Sequence, residues 1–132
     1  MSKKITDTTN VVTRPNGTKK WYRDDKLHRE DGPAVEWANG SKSWYRDGQR
    51  HREDGPAVEW ADGYKEWRRN GLLHRDGGPA VEWANGNKWW YREGQLHRDD
   101  GPAVEWVGGS QSWYLDDREV TREDVLGRAP SM

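Results

Sequence analysis

The stretch HREDGPAVEW, residues 51–60, decides the fold, because the chain repeats it almost letter for letter. Residues 28–37 carry the same ten letters, and the variants HRDGGPAVEW and HRDDGPAVEW stand at residues 74–83 and 97–106. The four copies start 23 residues apart, and a fixed period of this length is typical of repeat proteins. A histidine, an arginine and carboxylates at fixed spacing suggest either an active site or a building unit, and the repetition favours the building unit.

The repeat accounts for most of the chain, and twelve of its 23 positions are identical in all four units. The units are residues 16–38, 39–61, 62–84 and 85–107. We interpret residues 1–132 as a single β-repeat domain, in which residues 16–107 hold the four repeats. Residues 1–15 are interpreted as an N-terminal half-repeat or cap, and residues 108–132 as a degenerate repeat with a C-terminal cap.

Each unit carries two turn signals and two short strand-like segments. In the second unit, Asn39-Gly40 and Asp47-Gly48 are pairs that supply the positive φ angles of tight hairpin turns. The intervening segments SKSWYR and PAVEWA are rich in Trp, Tyr and Val and are too short for helices. The pattern predicts an all-β repeat protein, an elongated and twisted antiparallel β-meander or solenoid of 23-residue, two-strand units.

A two-residue turn at Asp62-Gly63 predicts the register of the sheet. Val58 would lie opposite Trp67 and would share one face with Trp67 and Trp60. The tryptophans then form a structural ladder of two rows on this face. The first tryptophan row is Trp21, Trp44, Trp67, Trp90 and Trp113, and the second tryptophan row is Trp37, Trp60, Trp83 and Trp106. We expect the sheet to twist or curl so that this face covers itself, or to be shielded by a second sheet.

The opposite face is predicted to carry tyrosine, arginine and glutamate side chains. One position per repeat forms what we call the tyrosine row: Tyr22, Tyr45, Arg68, Tyr91 and Tyr114. Tyr and Arg are enriched among the residues that dominate protein interfaces. The tyrosine row is therefore the candidate partner-binding surface, with shielding of the neighbouring strand as the alternative role.

Both ends of the repeat array carry cap signals. NVVTRPNG, residues 10–17, aligns with PAVEWANG, but Arg14 replaces the tryptophan, as a polar terminal cap requires. At the other end, Thr121 and Asp124 match a weak capping box and predict a short helical cap over residues 121–127. Open sheet edges at the terminal units would allow homo-oligomerisation.

Composition excludes several classes of protein. The net charge is −1, from 22 basic and 23 acidic residues, which gives no bulk attraction to nucleic acid or to acidic membranes. The absence of cysteine excludes disulfides, thiolate nucleophiles and cysteine-based zinc sites. The N-terminal sequence lacks the apolar segment of a signal peptide, and no apolar run approaches the ~20 residues of a membrane span. We therefore expect a cytoplasmic protein with neither nucleic acid nor membrane as its partner.

The repeated histidines are predicted to be structural. Equivalent histidines of neighbouring repeats lie two strands apart, ~9–10 Å at the usual strand spacing, which is too far to share a metal ion. Catalysis needs one desolvated pocket, which a surface motif used four times does not provide. We expect His51 to pack on Trp44 and to hydrogen bond with the next repeat, and Arg52 to bridge Asp54 or Glu59. The sequence thus predicts no catalytic residue, no metal site and no cofactor.

The segments WYRDGQRH, WRRNGLLH and WYREGQLH, residues 44–51, 67–74 and 90–97, can be compared with a known family. They resemble the MORN repeat, which also has 23 residues, and more closely the bacterial variant that reads W-Y-x-x-G-x-x-H. The resemblance covers residues 16–115, although this chain has H-R-x-x-G-P-A-V-E-W where the familiar repeat has H-G-x-G. It implies an elongated antiparallel sheet without enzymatic activity, used in protein interaction or dimerisation and sometimes linked with phospholipids.

These observations favour a non-enzymatic, repeat-based protein-interaction module. Bacterial and phage variants of the repeat look like stand-alone interaction, antitoxin, immunity or inhibitor proteins, and the resemblance extends that expectation to this chain. The alternative is binding of nucleic acid or phospholipid through the arginines that accompany the aromatic rows. Glutamates run parallel to those arginines and neutralise them, and a repeated-site enzyme is the least favoured class.

Removal of residues 62–84 as one block should leave a shorter folded protein, because each unit contacts mainly its neighbours. Removal of about half a unit should unfold the chain, because it breaks the strand register. Circular dichroism and thermal melts of both deletions check this. An unfolded 62–84 deletion would indicate long-range pairing instead of a repeat array.

Overall fold

The computed structural model describes residues 9–127, which are almost entirely β structure with one short helix. The strands are β1 Asn10–Thr13, β2 Lys19–Arg23, β3 Lys26–Leu27, β4 Val35–Glu36, β5 Lys42–Ser43, β6 Tyr45–Arg46, β7 Gln49–Arg50, β8 Val58–Glu59, β9 Lys65–Glu66, β10 Arg68–Arg69, β11 Leu72–Leu73, β12 Val81–Glu82, β13 Lys88–Trp89, β14 Tyr91–Arg92, β15 Gln95–Leu96, β16 Val104–Glu105, β17 Gln111–Leu115 and β18 Arg118–Val120. The helix, α1, is Arg122–Leu126.

The strands follow one another through space almost as they do along the chain. Twelve of them form one sheet, in the order β1-β2-β4-β5-β8-β9-β12-β13-β16-β17-β18 with β3 beside β2. Three separate hairpins, β6–β7, β10–β11 and β14–β15, project from the inner repeats. Within the described residues, β1 and β18 lie at opposite ends of the order, so the sheet is open. The predicted antiparallel meander is confirmed.

The two hairpins of each repeat have turns of different length. Within the second repeat, Asp47 and Gly48 have φ values of 51° and 85°, which are those of the predicted two-residue type I′ turn. Between repeats the loop has three residues, because the amide of Trp60 donates to the Tyr64 carbonyl and the amide of Gly63 donates to the Trp60 carbonyl, both at 2.9 Å. Gly63 takes the left-handed position of this bulged turn, with φ 104°.

The three-residue loop moves the register of the main sheet by one residue from the predicted one. Val58 lies opposite Glu66 and Glu59 lies opposite Lys65, so the prediction that Val58 faces Trp67 is wrong. A slip of one residue transfers a whole strand's side chains to the other face. The second tryptophan row therefore shares its face with Val58 and Glu66, and the first tryptophan row lies on the opposite face. The predicted single face for both rows is corrected accordingly.

The buried core is a narrow strip with one alanine and one valine from each repeat. Its members, each at most 3% exposed, are Ala34, Val35, Ala57, Val58, Ala80, Val81, Ala103 and Val104. The tryptophans of both rows are half-buried, except Trp106, which is 38% exposed. The side chains that cover the strip are therefore large rings with one edge in water, which suits a sheet of low overall hydrophobicity.

An arginine covers the first tryptophan row in each repeat. The Arg52 guanidinium carbon lies 3.8 Å from the centre of the Trp44 ring, and the packing of His51 on that ring stays a prediction. Nε of Arg52 donates to Asp54 at 3.3 Å and Nη1 donates to Glu59 at 3.2 Å, which confirms both predicted bridges. Arg29, Arg75 and Arg98 stack in the same way on Trp21, Trp67 and Trp90, at 3.8–3.9 Å.

The two ends differ. At the N-terminal end, β1 pairs with β2 as the predicted half-repeat, and Val11 and Val12 are 51% and 45% exposed within the described part of the chain. At the C-terminal end, α1 begins at the predicted capping box, in which Thr121 accepts from the Asp124 amide and Asp124 accepts from the Thr121 amide. Residues 1–8 and 128–132, which belong to the predicted caps, lie outside the described residues.

Gly55→Ala tests the arginine stack. A Cβ at residue 55 would lie 2.8 Å from the Arg52 guanidinium carbon, so the guanidinium must leave the Trp44 ring. Loss of the cation–π contact and its ion pairs should lower the free energy of unfolding by about 1–2 kcal/mol, measured by chemical denaturation.

Gly108→Ala is the matched control, because a Cβ there meets nothing within 4 Å. In an Arg52→Ala background, Gly55→Ala should cost almost nothing further, because the two changes act on one contact. Equal costs of Gly55→Ala with and without Arg52 would contradict this explanation.

Candidate functional site

The tyrosine row occupies one equivalent position in each repeat, opposite the strand that returns from the inner turn. Its members pair as Tyr22 with Leu27, Tyr45 with Arg50, Arg68 with Leu73, Tyr91 with Leu96, and Tyr114 with Glu119. All five side chains are half-buried. The row lies opposite the first tryptophan row, as predicted, but on the same face as the second, where the prediction was wrong.

Backbone hydrogen bonds tie the tyrosine row to the repeat before it. The amide of Arg29 donates to the Tyr45 carbonyl at 3.3 Å, and the amide of Arg52 donates to the Arg68 carbonyl at 3.2 Å. Arg75 and Arg98 repeat the contact with the residues of the row that follow them, at 3.4 and 3.3 Å. The spacing of the row is therefore set by backbone contacts as well as by side-chain packing.

The third repeat places a nearly buried carboxylate in the middle of this face. Glu66, which is 9% exposed, accepts from Arg68 Nε at 2.7 Å and from the Tyr64 hydroxyl at 2.6 Å. Nη1 of Arg50, from the preceding repeat, lies 3.7 Å from Glu66, and Nε of Arg50 donates to the Tyr45 hydroxyl at 3.2 Å. We call these five residues the ionic cluster, which connects two members of the tyrosine row.

The ionic cluster shifts the titration of its members. Burial is the largest single influence and raises the pKa of Glu66, but the hydrogen bonds from Arg68 and Tyr64 and the charges of Arg68 and Arg50 together outweigh it, and the pKa lies below its usual value. Burial and the adjacent Glu66 carboxylate both raise the pKa of the Tyr64 hydroxyl. Glu66 is therefore an ionised acceptor at neutral pH, and Tyr64 is a neutral donor.

Aromatic rings continue the face beyond the ionic cluster. Tyr64 meets Trp83 edge-on at 5.6 Å between ring centres, Trp83 meets Trp89 at 4.7 Å, and Trp89 stacks on Tyr91 at 6.5 Å. Burial, followed by the Asp117 charge, raises the pKa of Tyr91. This aromatic chain joins the tyrosine row to the second tryptophan row.

Arg50, Tyr64, Glu66 and Trp89 were absent from the sequence-based candidates. At these positions the other repeats carry small or different residues, so the departures from the repeat are a signal that could have found them. Their grouping depends on a register that the predicted two-residue loop places incorrectly. The sequence therefore shows that these residues depart from the repeat, but it does not predict that they contact one another.

The histidines form a separate series that bridges neighbouring repeats. Nδ1 of His51 accepts from the Asn70 amide at 2.9 Å, so the predicted hydrogen bond to the next repeat is confirmed. Nε2 contacts the Glu53 carboxylate at 2.7 Å, and this hydrogen bond holds the pKa of Glu53 below its usual value. Because Nδ1 accepts, Nε2 carries the proton in neutral His51. The imidazole is thereby used on both sides, which leaves no free nitrogen for a metal or for proton transfer.

Similar clefts lie between neighbouring repeats along the first tryptophan row. The cleft between the first and second repeats has a volume of about 660 Å³ and includes Trp44, His51 and Arg52 in its lining. Among residues 9–127, no group of three or more His, Cys, Asp or Glu side chains is arranged to hold a metal ion. In the same part of the chain, no helix has the length and apolarity needed to cross a membrane.

No protein-family model matches this chain, and no curated protein matches it. The repeat geometry and the residues of the candidate surface are therefore the features that point to a function.

Glu66→Gln tests the ionic cluster. The variant leaves Arg68 and Arg50 without a charged partner, and it should lower the free energy of unfolding at pH 7 by about 1–3 kcal/mol. The depressed folded-state pKa of Glu66 contributes stability above the ordinary glutamate pKa of ~4.3, and this is lost as the pH falls through the folded value. The difference between parent and variant should therefore shrink when denaturation is repeated near pH 3.

Glu93→Gln is the matched control, because Glu93 is exposed and its carboxylate forms no ion pair within residues 9–127. Its effect on stability at pH 7 should stay within about 0.5 kcal/mol. Equal effects of the two substitutions would show that Glu66 has no special role.

Proposed function

We propose that this chain is a non-enzymatic, repeat-based module that binds a protein partner through the tyrosine row. The observation that carries the proposal is the regular placement of one half-buried Tyr or Arg per repeat, held by backbone contacts to the preceding repeat. Tyr and Arg supply large contact areas and hydrogen bonds at protein interfaces. The ionic cluster and the aromatic chain enlarge this surface with residues of the same types.

The resemblance to MORN repeats, and to their bacterial and phage variants, supports the same class of function. We include in the proposal a cytoplasmic location and a role as an antitoxin, immunity or inhibitor protein, for which the resemblance is the support. The sheet edge at β1 is proposed as a second contact surface, through which two copies could pair, because its valines are exposed.

Binding of nucleic acid or phospholipid through the arginines is the second candidate. The arginines beside the inner turns, however, meet acceptors from the chain itself: Arg23 meets Asp47 at 3.0 Å, and Arg92 meets Asp116 at 3.3 Å. The arginines on the first tryptophan row are likewise engaged with carboxylates. A track of paired arginines offers little to a phosphate backbone. Salt-dependent binding to random single-stranded DNA or to acidic vesicles would favour this candidate instead.

Tyr45→Ala combined with Tyr91→Ala should weaken partner binding at least ten-fold, which corresponds to about 1.4 kcal/mol. The partner is first isolated with the parent protein as bait and identified by mass spectrometry. Titration calorimetry then compares parent and double variant, and a thermal melt of each reports on the fold. The melt should change little, because both rings are only half-buried.

Lys42→Ala combined with Lys88→Ala is the matched control, since both lysines are exposed and lie in the same two repeats. It should leave the affinity unchanged. Unchanged affinity of the tyrosine variant, or lost binding accompanied by collapse of the fold, would return Tyr45 and Tyr91 to a structural role.

A further inference from the structure

The third repeat lacks a carboxylate that the other three repeats place on their stacked arginine. In those repeats Nε of the arginine donates to an aspartate two residues later. The pairs are Arg29 with Asp31 at 3.1 Å, Arg52 with Asp54 at 3.3 Å, and Arg98 with Asp100 at 3.1 Å. In the third repeat the arginine is Arg75 and the matching residue is Gly77, which has no side chain.

Arg75 nevertheless holds the same position as its equivalents. Its guanidinium lies 3.8 Å from the centre of the Trp67 ring, and Nη1 donates to the Pro79 carbonyl at 3.1 Å and to Glu82 at 3.3 Å. A Cβ at Gly78 would lie 2.9 Å from the guanidinium carbon, as at the matching glycines of the other repeats. The arginine is thus fixed in the geometry that elsewhere accompanies a bound carboxylate.

The Nε edge of Arg75 is open. Among residues 9–127 its Nε has no hydrogen-bond partner, and the side chain is 32% exposed, against 22–24% for the three equivalents. A Cβ built at Gly77 meets nothing within 4 Å. The neighbouring Asp76 contacts His74 at 3.1 Å and Arg69 at 3.9 Å, so this carboxylate is engaged elsewhere.

The open edge faces a groove between the third and fourth repeats. Arg75, Gly77 and Gly78 line one side, Trp90 and Arg92 line the other, and the groove has a volume of about 470 Å³. The Arg92 side chain is 51% exposed. The groove has lost one negative charge relative to its counterpart between the first and second repeats, where Asp31 is present.

We infer that Arg75 is a docking position for a carboxylate on a protein partner, in the form of an aspartate or glutamate side chain. Three of the four repeats already contain this arginine–carboxylate contact, in which an aspartate of the chain occupies the place proposed for the partner's carboxylate. A charge-assisted hydrogen bond to Nε reproduces that contact from outside the chain. This site lies beside the first tryptophan row and does not include the tyrosine row. Failure of the proposal for one surface therefore leaves the proposal for the other unaffected.

The test follows the Nε–H resonances of the stacked arginines by NMR at constant ionic strength. The probes are sodium acetate, the blocked tripeptide acetyl-Gly-Asp-Gly-amide and its Asn counterpart, and inorganic phosphate. Arg75→Lys identifies the Arg75 resonance by its disappearance. Acetate and the Asp tripeptide should shift the Arg75 Nε–H saturably, while the resonances of Arg29, Arg52 and Arg98 stay in place because their own aspartates occupy them.

Two substitutions create the same site in other repeats. Asp54→Ala removes the carboxylate on Nε of Arg52, and Asp100→Ala removes the carboxylate on Nε of Arg98. Each variant should give that arginine the response that Arg75 shows in the parent protein. Parallel shifts of all four arginines would reduce the effect to general ion attraction and overturn the inference. A larger response to phosphate than to acetate would overturn the choice of carboxylate. A response to acetate but not to the Asp tripeptide would contradict the inference that the carboxylate belongs to a protein partner.

Discussion

The hydrogen bond from an inner-turn amide to the histidine of the preceding repeat is the contact on which the array depends. It occurs four times at 2.9 Å, from Asp47 to His28, from Asn70 to His51, from Glu93 to His74 and from Asp116 to His97. In each case the donor residue has a positive φ, between 48° and 51°. Asp24, which has no histidine before it in the chain, shows the same φ of 51°, so the type I′ turn sets the conformation and the imidazole accepts the amide that the turn presents.

This contact gives the recurring histidine a structural role. An amide that loses its acceptor on burial costs about 1–3 kcal/mol, and the histidine supplies that acceptor at each of these four turns. The imidazole must present a bare Nδ1 to the amide, and in His28, His51 and His97 the carboxylate of Glu30, Glu53 or Asp99 next to Nε2 fixes that tautomer. Protonation of Nδ1, or a metal ion on it, would remove this acceptor.

The sequence predicted the architecture well because its information was local. The period, the inner type I′ turn, the strands and the helical cap each follow from a few adjacent residues. The register was not predictable in the same way, because Asp62-Gly63 suits both a two-residue turn and a three-residue bulged loop, and only the packing of Val58 against Glu66 separates them. The one-residue error in loop length reversed the predicted faces of the strands. The prediction therefore missed the ionic cluster and placed both tryptophan rows on one face. The sequence shows that Gly77 replaces the aspartate of the other repeats. That this replacement leaves Nε of Arg75 without an acceptor follows only from comparison with the three paired arginines in the structure.

The ionic cluster has a consequence for how the chain finds its fold. Nearly identical repeats invite misassembly, because a chain displaced by 23 residues still matches at twelve of every 23 positions. Arg50 and Glu66 are absent from the matching positions of the other repeats, so they meet only when the second repeat is followed by the third. An out-of-order pairing leaves Glu66 with Arg68 as its single cation, or sets Arg50 against an uncharged neighbour. These residues, which differ from repeat to repeat, thus make the correct order of repeats lower in energy than arrangements displaced by one repeat.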